Sequence, residues 1–249
     1  GSEITFAHPP TRDCRKTSVA VGIISGYAAR RDAIRLTWGK DFCLYFVVAK
    51  QRGKWPTLEA FRYGDLIMLD LEDIYFGERS ILSYKTSLWF RFANEAHPNF
   101  LFYLKTDDDS YVRMPDLEST LLDLKPDFWG KVHYNANPIR SPTHKWYVPP
   151  SMWNGTYPAY CSGSGYVLSQ KALQCYVKSV ATQLYFVRED VATGIIMRGC
   201  GISPTHTGLV DSGNKFTGNI PWIIKHYVAN HSEIFSQDKT DSISLSSAS

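Results

Sequence analysis

No apolar run in the 249-residue sequence approaches the roughly 18 residues that a membrane-spanning helix needs, and no secretory-leader pattern opens it. Lys and Arg are scattered without a basic run, and the net charge of +3 is mild, so the footprint of a nucleic-acid partner is absent. No pair is spaced as Cys-x-x-Cys, which excludes a zinc ribbon and a dithiol redox centre. The five cysteines (Cys14, Cys43, Cys161, Cys175, Cys200) allow at most two internal disulfides and leave one over. There is no internal repeat. Gly1-Ser2 reads as an expression scar on an N-terminal arm over 1–17, and residues 236–249 read as a loosely held polar tail.

What remains is a stretch, 18–235, of ordinary globular composition that suits one domain. Short apolar runs at 18–24, 42–49, 65–69 and 100–105 read as strands. Helical pieces fall between them near 29–38, at 57–63 and, with a period close to 3.6, over 79–97. Strands alternating with helices predict a mostly parallel sheet, whose ligands sit at the carboxyl ends of its strands. From 128 to 166 the texture turns to Pro, Gly and aromatics, predicting irregular strands and loops. Helices are then expected over 167–181 and 191–198.

Asp107-Asp108-Asp109 follows directly on the 100–105 run, at such a carboxyl end. Three successive carboxylates repel one another, and in an extended segment Asp107 and Asp109 project to one side. A hard divalent cation fits that pair; a solvated acidic turn is the plainer alternative. Glu189-Asp190-Val191 opens a helix, where acids also serve as caps. Arg31 and Arg35 lie one turn apart and can face a diphosphate or pair with surface acids. Ser25-Gly26-Tyr27 ends the first strand, a usual resting place for a nucleotide base. Trp129, Trp146, Trp153 and five tyrosines between 134 and 166 suit sugar faces or a core equally. Asn154-Gly155-Thr156 and Asn230-His231-Ser232 read as N-glycosylation acceptors.

Taken in order, Arg30-Arg31-Asp32-Ala33-Ile34-Arg35-Leu36-Thr37-Trp38, Lys105-Thr106-Asp107-Asp108-Asp109, Lys145-Trp146-Tyr147-Val148, the run from Tyr157 to Ser169 with Tyr160 and Gly163, and Glu189-Asp190-Val191 resemble one family. It is the β-1,3-galactosyltransferase family, which also holds β-1,3-N-acetylglucosaminyltransferases and the Fringe enzymes. The resemblance spans about residues 18 to 232. It implies an α/β, Rossmann-like GT-A fold with a nucleotide-binding half near 18–127 and an aromatic-rich acceptor half near 128–235. It also implies Mn²⁺ or Mg²⁺, a UDP-sugar donor, a glycan acceptor, and a Golgi or ER lumenal domain of a type II membrane protein.

Carried over by position, Asp107, Asp109 and the late His231 are expected at the metal, with His226 the less well aligned alternative. Ser25, Arg31, Arg35, Lys105, Asp107 and Asp108 are expected against the donor, and Trp146, Tyr160, Gly163 and Glu189 against the sugar or acceptor. Asp190 is expected to be the general base. The chain departs from many relatives in having Ile196 where they carry a cysteine, with Cys200 four residues on, so the disulfide pairing stays open. The implied reaction is inverting transfer of a hexose, galactose first, in β-1,3 linkage. N-acetylglucosamine or N-acetylgalactosamine transfer and a non-catalytic glycan-binding role are the alternatives.

Overall fold

The computed structural model describes residues 14, 17–180, 186–213 and 221–228. The expected tail over 236–249, His231 and the Asn230 acceptor triplet lie outside the described residues, as does most of the arm.

The first half alternates as expected: β1 (Val19–Ile24), α1 (Ala28–Leu36), β2 (Leu44–Lys50), α2 (Thr57–Tyr63), β3 (Leu66–Glu72), α3 (Leu82–Ala96) and β4 (Phe102–Asp107). After them come β5 (Ser110–Val112), α4 (Met114–Leu124), β6 (Phe128–His133), β7 (Tyr160–Ser169), α5 (Gln170–Val180) and α6 (Glu189–Gly199). The short strands β8 (Thr205–His206), β9 (Val210–Asp211) and β10 (Ile224–His226) complete the described elements. The main sheet runs β3-β2-β1-β4-β7-β6-β8, and a small one runs β5-β10-β9. Strands β3, β2, β1 and β4 are parallel, and β7 is antiparallel to both β4 and β6.

Strand alternation explains why β1 and β2 are apolar throughout. Val19, Val21 and Ile23 face one core together with Leu44, Phe46 and Val48, while Ala20, Ile24, Tyr45 and Val47 face the other. Trp89 and Phe92 of α3 and Leu173 and Tyr176 of α5 belong to the second core. Gly22 sits where a Cβ would collide with the Trp89 indole, so α3 lies directly on the backbone of β1.

One expectation is sharpened and one is corrected. The stretch 128–166 is irregular over 134–159, as expected, but it opens on β6 and closes on most of the ten-residue β7, an interior strand of the main sheet. Its Ser162-Gly163-Ser164-Gly165 core lacks β-branched residues because the strand is crossed closely: a Cβ on Gly163 would lie 2.6 Å from Glu189 Oε1. The helix expected from Val167 begins instead at Gln170, since Val167 and Leu168 pair with Leu104 and Tyr103.

The cysteine pairing left open by the sequence is Cys14–Cys43 and Cys175–Cys200, with Cys161 free and buried. The second bridge ties α5 to the residue that follows α6.

Gly22→Ala should overpack the α3 contact and destabilise the fold by about 1–3 kcal/mol. Urea unfolding checks this, and an unchanged midpoint would mean that Trp89 moves aside freely.

Candidate active site

The three aspartates divide their work at the end of β4. Asp108 turns inward: its Oδ2 accepts from Ser25 Oγ at 2.8 Å and from the Gly26 and Tyr27 amides at 3.0 and 3.2 Å. Its Oδ1 pairs with Arg30 Nη1 at 2.9 Å. It therefore locks the β1–α1 loop to β4 with both oxygens engaged. Asp107 and Asp109 flank it. Asp107 Oδ1 meets Lys105 Nζ at 2.9 Å, and Asp109 Oδ1 lies 3.3 Å from His226 Nδ1. One ligand atom each from Asp107, Asp109 and His226 falls within 4.8 Å of the others. Burial pushes the Asp109 carboxyl up from its ordinary value, and Asp107 and Asp108 add to this, while His226 and Arg30 oppose it.

His226 arrives through the small sheet, where β10 pairs antiparallel with β5 and places His226 opposite Ser110. Its Nδ1 is also 3.0 Å from Ser110 Oγ. Among the described residues it is the histidine at the aspartates; His231 lies outside them.

Two cavities join at Asp107. One, of about 680 Å³, is lined by Tyr27, Arg30, Asp73, Tyr75, Lys145 and the three aspartates, among others. The second, of about 300 Å³, is lined by His133, Tyr160, Ser162, Gly163, Arg188 and Asp190, among others. Tyr75, Asp107, Trp146, His226 and Tyr227 border both, so the two are lobes of one groove.

Lys105 connects the lobes from beneath. Fully buried, its ammonium donates to Glu189 Oε1 at 2.7 Å and to the Gly163 carbonyl at 2.6 Å, besides meeting Asp107. Glu189 Oε2 accepts from Tyr166 at 2.9 Å and from Thr86 at 3.4 Å, so both carboxylate oxygens are held. Burial pushes the Glu189 carboxyl up to about 7 against the pull of Lys105, with Asp190 and Asp107 adding to the rise.

Asp190, in the first turn of α6, accepts its neighbour's amide (Val191 N) on Oδ1 at 2.9 Å. It also lines the smaller lobe, with Oδ2 3.6 Å from Arg188 Nη2. The His133 ring stacks on Tyr160 at 5.1 Å, and burial, with Asp190 adding, pushes the Tyr160 phenol up to about 12.

Of the residues singled out in the sequence, Asp107, Asp108, Asp109, Lys105, Trp146, Tyr160, Gly163, Glu189 and Asp190 come together along this groove. Ser25 lines its larger lobe. Arg31 and Arg35 are not brought to the aspartates. Arg31 forks onto Glu59 and donates to Ser25 Oγ, lining a side cavity of about 250 Å³. Arg35 pairs with Asp32, Glu59 and Asp65 and stacks on Phe46 and Tyr63. The arginine at the aspartates is Arg30, one residue earlier on the first turn of α1: its guanidinium meets Asp108 and Asp109, while that of Arg31 meets Glu59. Sequence reasoning also passed over His133 and Arg188; Arg188 adjoins the Glu-Asp pair, and that adjacency was a usable signal.

The profile of the Galactosyltransferase family matches residues 29–208. The chain is 31% identical over 208 residues to UDP-GlcNAc:betaGal beta-1,3-N-acetylglucosaminyltransferase 8 of Mus musculus, covering 77% of this chain and 52% of that protein. It is 34% identical over 201 residues to lactosylceramide 1,3-N-acetyl-beta-D-glucosaminyltransferase of Xenopus tropicalis, covering 71% and 52%. To Beta-1,3-galactosyltransferase 5 of Homo sapiens it is 32% identical over 218 residues, covering 79% and 68%. The chain thus spans about half the length of the first two relatives. A solved structure, of a glycosyltransferase involved in the glycosylation of the major capsid of PBCV-1, is similar at 14% identity with a TM-score of 0.46, covering 88% of this chain and 99% of that one.

The raised Glu189 carboxyl makes stability depend on pH. A carboxyl whose folded value lies above its ordinary 4.5 contributes stability that is complete below 4.5 and lost as pH rises through about 7. Glu189→Gln should flatten the dependence, read as unfolding free energy from pH 4 to 8 for both proteins (roughly the span over which the linkage acts).

Proposed function

The chain belongs to the galactosyltransferase family, and we propose that it transfers a hexose, galactose first, from a UDP-sugar to a glycan hydroxyl with inversion, making a β-1,3 bond. The observation that carries this reading is the single groove with Asp107, Asp109 and His226 at its middle and Asp190 in its smaller lobe.

The donor set fits a divalent cation. Two carboxylates and an imidazole nitrogen match Mn²⁺ better than Mg²⁺, which prefers oxygen throughout, and leave positions for phosphate oxygens. When bound, that ion offsets the negative charge that gathers on the leaving diphosphate.

The chain's own residues supply the rest. The larger lobe takes the UDP moiety, with Arg30 and Lys145 as its cations and Ser25 at the end of β1 beside the base. Lys105 stays buried and holds Asp107 at the lobe junction. Tyr160, Trp146 and Gly163 line the smaller lobe, where the hexose and the acceptor meet. Asp190 Oδ2 takes the proton of the acceptor hydroxyl as its oxygen attacks the anomeric carbon from the face opposite UDP. The C–O bond to UDP breaks, and a single displacement inverts the centre. Glu189 holds Lys105 and Tyr166 and does not touch the reacting atoms.

A second reading is supported by the relatives themselves, because two of the three described above are named N-acetylglucosaminyltransferases at comparable identity. UDP release from a panel of UDP-sugars with Mn²⁺ and mixed acceptors separates the two. Placement in the Golgi lumen is proposed with the family. Among the described residues no helix is long and apolar enough to cross a membrane.

Asp190→Asn should lower turnover by about 10²–10⁴-fold while Mn²⁺-dependent UDP binding is retained. Transfer near the wild-type rate would remove Asp190 from the mechanism. Asp109→Ala and His226→Ala should each weaken UDP binding only when Mn²⁺ is present. Identical calorimetric titrations for wild type and variants would rule out the metal assignment.

A further inference from the structure

Strand register sets two polar rings side by side on the wall of the smaller lobe. Between β6 and β7, Val132 pairs with Cys161 and His133 with Tyr160. Val132 and Cys161 belong to the second core, so alternation turns His133 and Tyr160 to the opposite face, where both line the lobe. Their rings stack, with centroids 5.1 Å apart and planes at 27°. Tyr157 packs edge-on against Tyr160 at 6.1 Å, so ring contacts hold the imidazole in place.

Hydrogen bonds do not. Among the described residues, neither ring nitrogen of His133 has a hydrogen-bond partner in the protein. The buried side-chain nitrogens that lack a partner are the indoles of Trp38, Trp89 and Trp129, so those of His133 are reachable from the lobe that the ring lines. Its polar neighbours are engaged. Ser162 Oγ pairs with Ser164 Oγ at 3.0 Å, Ser212 Oγ accepts from Lys131 at 2.8 Å, and Glu189 is held by Lys105 and Tyr166.

Burial holds His133 below its ordinary value against the pull of Asp190, with Lys131, Arg188 and His206 adding to the fall. The ring is then a neutral imidazole, with one N–H donor and one acceptor nitrogen. Such a group matches a hydroxyl, which also gives and takes a hydrogen bond. For packing on Tyr160 alone a phenylalanine would serve as well, and it would leave no polar atom without a partner at the wall.

We propose that His133 reads the acceptor: a ring nitrogen hydrogen-bonds the sugar hydroxyl beside the attacking one, on a neutral hexoside. This rests on the reading that the Asp190 lobe takes the acceptor. Asp190 and His133 line that same lobe, so Asp190 receives the attacking hydroxyl while His133 holds its neighbour. The pair thereby selects which hydroxyl of the ring is presented. His133 is on this account a specificity residue: it touches the acceptor, not the reacting atoms, and moves no proton.

The test couples a change in the protein to a change in the substrate. Acceptor kinetics at saturating donor and Mn²⁺ are measured with methyl β-galactoside, with methyl β-N-acetylglucosaminide, and with monodeoxy analogues of each that lack a hydroxyl beside the attacking one. In the wild type one analogue should raise the acceptor KM about tenfold, the effect of losing one hydrogen bond. His133→Phe, which keeps the stack on Tyr160, should raise the KM of the parent glycoside about tenfold and lose nothing further with that analogue. His133→Gln, with a donor and an acceptor of its own, should recover part of the loss. The donor KM should not follow the acceptor KM, and melting temperature is the folding control; His133→Ala repeats the cycle if the phenylalanine variant melts low. Additive losses, an acceptor KM unmoved by His133→Phe, or UDP release that neither glycoside stimulates would overturn the inference. A wild type that releases UDP from no UDP-sugar would overturn the transferase reading, and this inference with it.

Discussion

Lys105 is the group around which the site is arranged. A fully buried ammonium is expensive unless opposite charges surround it, and here Asp107, Glu189 and the Gly163 carbonyl do so. Those partners come from β4, the first turn of α6 and β7, three elements far apart in sequence. The same contacts therefore set the distance between the aspartates at the groove's middle and Asp190, the neighbour of Glu189. Asp108 does the corresponding work at the other end by binding β4 to the loop after β1.

Small residues make this closeness possible. Gly163 lets Glu189 pass within reach of Lys105 across β7, and Gly22 lets α3 rest on β1. Where two polar or aromatic side chains must share the space above a strand, the strand gives up its own side chain. This is also why β7 reads poorly as a strand although it lies at the centre of the sheet.

The first half of the fold was legible because each element carries its own period: the apolar runs that became β1, β2 and β4 are buried on both faces, and α3 shows helical spacing. Asp107 and Asp109 were legible because a carboxyl strand end is a known address for ligands. The rest depended on pairing between distant segments. His226 reaches the aspartates only through the β5–β10 ladder, and nothing local to residues 224–226 announces that register. Arg30 and Arg31 are equivalent in the sequence, and only the folded direction of each side chain assigns one to Asp108 and the other to Glu59.

The unpaired Cys161 has a bearing on how the chain reaches this state. It lies buried in β7 between two strands, and burial pushes its thiol well above the ordinary value, so little thiolate is available to attack a disulfide. Once β7 has paired with β4 and β6, the odd sulfur is withdrawn from exchange, and Cys14–Cys43 and Cys175–Cys200 face no internal competitor.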